Sequence, residues 1–135
     1  MPEKASTPEF RTSVKVYLED TDAQGIVYHV NYVKFFERAR TDYFDMRGVG
    51  LKAAQDRGLR FVVHSIAVKF LRTAVFSDVL DIGTTVASSS PFRLVFQQKA
   101  TRRGESAIIS TATVDVVCID AKGELVEIPP EYRPT

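Results

Sequence analysis

The sequence predicts an α+β fold in which a five-stranded antiparallel sheet wraps around one long helix. Apolar and polar residues alternate in five separate segments, as they do in strands that bury one face. Between the first and second of these segments, apolar residues instead recur every three to four positions, which is typical of a helix. An antiparallel sheet with one apolar face needs another element to bury that face, and only this helix is long enough to do so.

The first strand is predicted where Val14, Val16 and Leu18 alternate with polar neighbours. A polar loop containing Gly25 follows and leads into the helix. Residues 51–57 are predicted to form a second, short helix before the next glycine. The buried face of the long helix is predicted to consist of Tyr32, Phe36, Ala39, Tyr43 and Met46.

Four more strands are predicted around residues 66–70, 80–83, 92–97 and 113–118, where the alternation returns. The connection before the last of them is short and contains Arg103-Gly104, which predicts an antiparallel hairpin. Residues 1–10 are predicted to be a flexible leader and residues 11–135 a single domain. The tail from Pro129 is expected to be irregular.

Composition restricts the possible partners. The chain has 135 residues, of which 44% are hydrophobic, enough for one sizeable core. Lys and Arg total 18 and Asp and Glu total 17, so the net charge of +1 creates no field that would attract nucleic acid or anionic lipid. No apolar run approaches the roughly 18 residues of a membrane span, so we expect no transmembrane segment and a cytoplasmic location.

The cysteine and histidine content argues against a disulfide and against a metal site. Cys118 is the single cysteine and stands among apolar residues, which predicts a buried thiol rather than a nucleophile. The two histidines are His29 and His64, and neither has a second ligand at metal-binding spacing. We therefore expect no metal and no redox cofactor.

Functional groups are densest between Glu19 and Asn31, on the loop that leads into the long helix. The first turn of a helix has unpaired backbone N–H groups and a partial positive charge, which together bind an anion or a developing oxyanion. Gly25 would let the backbone approach a ligand closely. From the residues alone a structural turn is the more common explanation, because Asp-Thr-Asp followed by glycine is common turn composition.

This segment, DTDAQGIVYHVNY at residues 20–32 with FERART at 36–41, resembles the signature of the 4-hydroxybenzoyl-CoA thioesterase family. Within it, the chain is most similar to the acyl-CoA thioesterases associated with the bacterial Tol-Pal system. The similarity continues through residues 61–63, 94–97 and 116–120. Gln24 departs from the small residue usual at its position, and His29 matches the Tol-Pal branch.

The resemblance implies a hotdog fold, a homodimer or tetramer, and acyl-CoA substrates bound between subunits. It implies that Asp22 is the catalytic carboxylate, acting either as nucleophile or as general base toward water. His29 is then expected to orient the thioester or to protonate the departing sulfur. Backbone N–H groups near Tyr28 and His29 are the expected oxyanion donors. The expected substrate-binding residues are Gly25, Tyr28, Asn31 and Val63.

Two other functions remain open. One is a hotdog dehydratase or hydratase, which ranks low because the chain lacks the helix-borne His and Asp expected of that group. The other is a non-enzymatic acyl-CoA or protein-binding module of an envelope-associated complex.

Several polar residues outside the motif have ordinary structural interpretations. Asp20 is expected to hold the loop through backbone N–H groups. Arg40 is expected to pair with Glu37 on the helix, and His64 is expected to be packed in a strand. The two arginines at the predicted hairpin, Arg102 and Arg103, would either be solvated or grip the phosphates of CoA.

Overall fold

The computed structural model describes residues 8–134 and has a six-stranded antiparallel sheet with one long helix on its concave face. The predicted element order is confirmed. The helices are α1 (His29–Met46) and α2 (Leu51–Asp56). The strands are β1 (Phe10–Lys15), β2 (Arg60–Phe70), β3 (Val79–Ser90), β4 (Arg93–Arg102), β5 (Ile108–Ile119) and β6 (Leu125–Val126).

Two elements at the ends of the chain differ from the predicted ones. The sixth strand, β6, was not predicted because its two residues, which pair with Cys118 and Ile119, are too few to show an alternation. Strand β1 begins at Phe10, one residue before the predicted start of the domain, and ends at Lys15. The prediction for Leu18 is wrong, since this residue begins a 3-10 turn and is 69% exposed. Residues 1–7 of the predicted leader lie outside the described residues.

The strands follow the order β1-β3-β4-β5-β2, and every pairing is antiparallel. The predicted hairpin between β4 and β5 is present. Strand β2 is 11 residues long and lies at one end of the sheet, so among residues 8–134 one of its edges has no partner. Its register with β5 shifts between Val63 and Ser65, where His64 forms a bulge.

Helix α1 buries four of the five predicted residues, Tyr32, Phe36, Ala39 and Tyr43. The prediction for Met46 is wrong, since this side chain is 58% exposed. Met46 lies on the same side of the helix as the buried Phe35, eleven residues earlier, so its angular position does not explain the exposure. It is the last residue of α1, where the helix leaves the sheet.

The core is closed by a cluster of aromatic side chains beneath the C-terminal half of α1. The ring of Phe44 lies 5.9 Å from both Phe96 and Tyr132, measured between centroids, and Tyr132 lies 5.1 Å from Phe61. Tyr132 belongs to a short 3-10 turn (Pro130–Tyr132), so the predicted irregular tail is in fact docked on the core.

Cys118 is completely buried, and this burial raises the pKa of its thiol. A neutral thiol inside the core confirms the predicted structural role of this residue. Within residues 8–134, neither α1 nor α2 is long and apolar enough to cross a membrane.

Candidate active site

The loop between β1 and α1 folds back on itself as a small hairpin. Thr21 and Val27 form an antiparallel bridge, and the N–H of Asp22 donates to the carbonyl of Ile26 at 2.9 Å. Gly25 closes the turn with φ +81°, a conformation that costs a residue with a Cβ about 1–2 kcal/mol. The hairpin therefore holds Asp22 close to the first turn of α1.

Asp20 anchors this hairpin. Its side chain is 8% exposed and accepts hydrogen bonds from the backbone N–H of Tyr17 and from Nδ2 of Asn31, both at 2.8 Å. Its carbonyl accepts the backbone N–H of Tyr28 at 2.9 Å. Both carboxylate oxygens are therefore engaged within the protein, and the predicted structural role of Asp20 is confirmed.

Asp22 differs from Asp20 in having an uncommitted oxygen. Its side chain is half-buried, and Oδ1 accepts the backbone N–H of Gln24 at 2.8 Å, which is an Asx turn. Among residues 8–134, no group donates a hydrogen bond to Oδ2. This oxygen can therefore meet a water molecule or a substrate while Oδ1 fixes the orientation of the carboxylate.

The N-terminus of α1 begins two residues after the bridge at Val27 and supplies hydrogen-bond donors. The N–H of Tyr28 is not one of them, because it donates to the carbonyl of Asp20. Of the two predicted oxyanion donors, the one at Tyr28 is therefore already used within the protein. The backbone N–H groups of His29 and Val30 have no protein acceptor among the described residues, and they lie at the positive end of the helix.

The side chain of His29 is exposed at the same end of the helix, and two aromatic rings lie against it. Its ring centroid lies 4.8 Å from that of Tyr28 and 5.8 Å from that of Phe70, the last residue of β2. The connection after β2 also contacts the hairpin, since Val27 donates its N–H to the carbonyl of Ala74 at 2.9 Å. The loop, the helix N-terminus and the end of β2 therefore meet.

Two of the predicted substrate-binding residues are not available at the Asp22 loop of their own chain. Asn31 is 8% exposed and its amide is used by Asp20, so it positions the loop from inside the protein. Val63 is 44% exposed on β2, seven residues before Phe70. At about 3.3 Å per strand residue this separation is roughly 23 Å, too far for Val63 and His29 of one chain to share a small site.

The arginines at the hairpin are engaged within the chain. Arg102 forms salt bridges with Asp78 and Glu105 at 3.1 and 3.0 Å. Arg103 donates to Ser13 at 2.7 Å. Their predicted alternative role in binding the phosphates of CoA therefore receives no support from the geometry.

Two further interpretations of polar residues are wrong. Arg40 makes no ion pair with Glu37; it donates to Gln98 across the core, while Glu37 accepts a hydrogen bond from Thr41. His64 is exposed rather than packed, as are all residues from Val62 to Ala67 on the edge strand β2.

Two other features of the structure offer no better site. An open cleft of about 480 Å³ lies between β1 and α1, but neither Asp22 nor His29 lines it. Among residues 8–134, no three His, Cys, Asp or Glu side chains are grouped so that they could hold a metal ion. The free carboxylate oxygen and free N–H groups at the start of α1 are therefore the best candidate for chemistry.

A long helix held in a curved antiparallel sheet, with a polar loop at its N-terminus, is the hotdog fold of thioesterases. The chain matches the Thioesterase-like superfamily over residues 16–134 and belongs to that family. This confirms the resemblance seen in residues 20–41.

Named relatives match the chain over most of its length. It is 39% identical over 115 residues to the acyl-CoA thioester hydrolase YbgC of Escherichia coli O6:H1, covering 85% of each chain. It is 36% identical over 126 residues to the acyl-CoA thioesterase YbgC of Haemophilus influenzae, covering 92% of this chain and 91% of the other. Its fold is similar to that of a 1,4-dihydroxy-2-naphthoyl-CoA thioesterase from Synechocystis, with a TM-score of 0.88 at 20% identity and 93% coverage of both chains.

Proposed function

We propose that this protein is an acyl-CoA thioesterase in which Asp22 provides the attacking oxygen or activates a water molecule to do so. The observation that carries the proposal is the pairing of an uncommitted carboxylate oxygen with uncommitted N–H groups at the start of α1. The curated names of relatives at 36–39% identity support the substrate class.

The chemistry needs few groups. In the general-base route, Oδ2 of Asp22 takes a proton from water as the water oxygen bonds to the thioester carbon. The carbonyl oxygen then carries a negative charge, which the N–H groups of His29 and Val30 would stabilise by hydrogen bonding. In the nucleophilic route the same Oδ2 bonds to the carbon directly, and water later cleaves the acyl-enzyme anhydride.

The leaving group departs as a thiolate when the carbon–sulfur bond breaks. A thiol has an ordinary pKa of roughly 8.5, so a strong general acid is unnecessary. The exposed imidazole of His29 lies next to the proposed oxyanion donors, where it can orient the thioester or give a proton to the departing sulfur. No metal or redox cofactor enters this mechanism.

We further propose that the active enzyme is a homodimer formed through β2. The unpaired edge of this strand carries several exposed apolar residues, which in a monomer would invite aggregation. They are Val62, Val63, Ile66 and Phe70, followed by Leu71, with exposed fractions from 38% to 52%. A second copy is the natural partner, because antiparallel pairing of one strand with itself is compatible with a two-fold axis.

Such pairing gives Val63 a place in the site. Two antiparallel β2 strands that cross near Ser65 and Ile66 bring the Val63 end of one strand beside the Phe70 end of the other. Since Phe70 contacts His29 of its own chain, Val63 of one subunit would face the catalytic loop of its partner. Val63 would therefore contact the substrate that is bound at the catalytic loop of the partner subunit.

The proposal is tested by following thiol release from acyl-CoAs of two to sixteen carbons, together with benzoyl-CoA and 4-hydroxybenzoyl-CoA. We expect release of CoA and free acid in equal amounts from at least one of these substrates. Tight binding of the esters without thiol release from any of them would contradict the proposal and favour a non-enzymatic acyl-CoA-binding role.

A further inference from the structure

A small pocket lies between the C-terminal half of α1, α2 and the start of β2, away from the Asp22 loop of the same chain. Its volume is about 120 Å³, room for about four groups the size of a water molecule. Glu37, Arg40 and Thr41 lie at its polar side. Its walls are apolar and consist of Phe44, Leu51, Phe61, Val63, Phe96 and Val116.

Arg40 is an unusual residue for such a wall. It is only 8% exposed, yet its guanidinium makes one hydrogen bond, from Nη1 to Oε1 of Gln98 at 3.0 Å. Among residues 8–134, no carboxylate lies within 4 Å of it. A guanidinium has five N–H donors, and leaving buried donors of a charged group unpaired is costly. The remaining donors are therefore available to a ligand in the pocket.

The surroundings of Arg40 hold it in place. Gln98 is 3% exposed, and its Nε2 donates to the carbonyl of Phe36 at 2.9 Å and to Oγ1 of Thr84 at 3.0 Å. With its amide nitrogen fixed, Gln98 presents only its oxygen to Arg40. The guanidinium is thus oriented by the core, as a group that recognises a ligand should be.

The charge near Arg40 indicates which ligand chemistry fits. Burial lowers the pKa of the guanidinium, and the negative charge of Glu37 opposes this effect. That carboxylate would repel a second anion. A hydroxyl group fits better, because its oxygen accepts from Arg40 and its proton can be donated to Glu37.

We propose that Arg40 selects acyl groups that carry a hydroxyl at the end distant from the thioester. This inference rests on the proposed function and on the pairing of β2 strands, which puts the Val63 wall of the pocket beside the catalytic loop of the partner subunit. The thioester is then held by one subunit and the far end of the acyl group by the other.

The test compares matched pairs of substrates with four, six and eight carbons, each as the plain acyl-CoA and as the acyl-CoA with a terminal hydroxyl. For at least one length we expect kcat/KM to be about 10- to 100-fold higher for the hydroxylated member, the range for a hydrogen bond to a charged group. In Arg40→Met this ratio should fall close to one. Arg40→Lys, which keeps the charge without the planar fork, should give an intermediate ratio and serves if Arg40→Met does not fold.

Arg38→Met is the matched control, since Arg38 lies on the exposed side of the same helix, and its ratio should equal that of the wild type. Calorimetry with the Asp22→Asn protein measures how tightly each member of a pair binds when it is not hydrolysed. The hydroxylated member should bind more tightly than the plain acyl-CoA. Hydrolysis of plain acyl-CoAs with no preference above about threefold at any length would overturn the inference while leaving the proposed function intact. A preference for a terminal carboxylate over the hydroxyl would also overturn it.

Discussion

An Asp22→Asn protein should hydrolyse acyl-CoA about 10²- to 10⁴-fold more slowly than the wild type, the usual contribution of a positioned general base. Asparagine keeps an oxygen that can accept the N–H of Gln24, so the Asx turn should persist. It lacks the negative charge on the second oxygen, which both catalytic routes require. The decrease should appear in kcat, measured by thiol release at saturating substrate.

Asp42→Asn is the control for this experiment. Asp42 is an exposed carboxylate on α1, so this substitution makes the same chemical change outside the loop. It should retain wild-type kcat. The melting temperature of Asp22→Asn should stay within about 2 °C of the wild type, since the change is isosteric. A kcat for Asp22→Asn within threefold of the wild type would remove Asp22 from the mechanism.

An Ile66→Lys protein should be monomeric and inactive. In the single chain Ile66 is 39% exposed, so a lysine there should cost the fold about 1 kcal/mol or less. Across a two-fold axis near this residue, two lysines would be juxtaposed, and like charges at an interface cost several kcal/mol. A penalty of about 3 kcal/mol raises the dimer dissociation constant more than 100-fold. Sedimentation equilibrium measures the mass, and thiol release measures the activity.

Leu125→Lys provides the matched control for the edge. Leu125 lies on β6, away from β2, and is 55% exposed. Its substitution therefore also replaces an exposed aliphatic side chain with a lysine. This variant should stay dimeric and active. A dimeric Ile66→Lys protein with normal activity would show that β2 is not the subunit interface.

Much of the fold was predictable because strand β5 and the long helix each bury one side. The alternation in residues 113–118 and the helical period from Tyr32 to Tyr43 each reflect a single buried face. Met46 was misplaced because periodicity alone does not reveal where a helix leaves the sheet. The two residues of β6 were missed because a strand held by so few pairs leaves no pattern in the sequence.

The candidate site was predictable where residues are close in the chain. The loop and the helix N-terminus are consecutive, so the motif brought Asp22 and His29 together. The available N–H groups were not predictable, because the donation from Tyr28 to Asp20 depends on how the hairpin closes. The proposed place of Val63 beside a partner's loop involves a second chain, which local sequence patterns do not reveal. The environment of Arg40 depends on Gln98, 58 residues away.

In the proposed dimer, Asp22 of one subunit works with the β2 wall of the other. Mixed dimers of Asp22→Asn and Val63→Trp test it, since the bulky side chain should block the wall without adding charge. Each variant alone should be nearly inactive. After subunit exchange, a shared site predicts recovery toward half of the wild-type rate per mixed dimer, because one of its two sites combines an intact Asp22 with an intact Val63. No recovery, with mixed dimers present by native mass spectrometry, would contradict the claim.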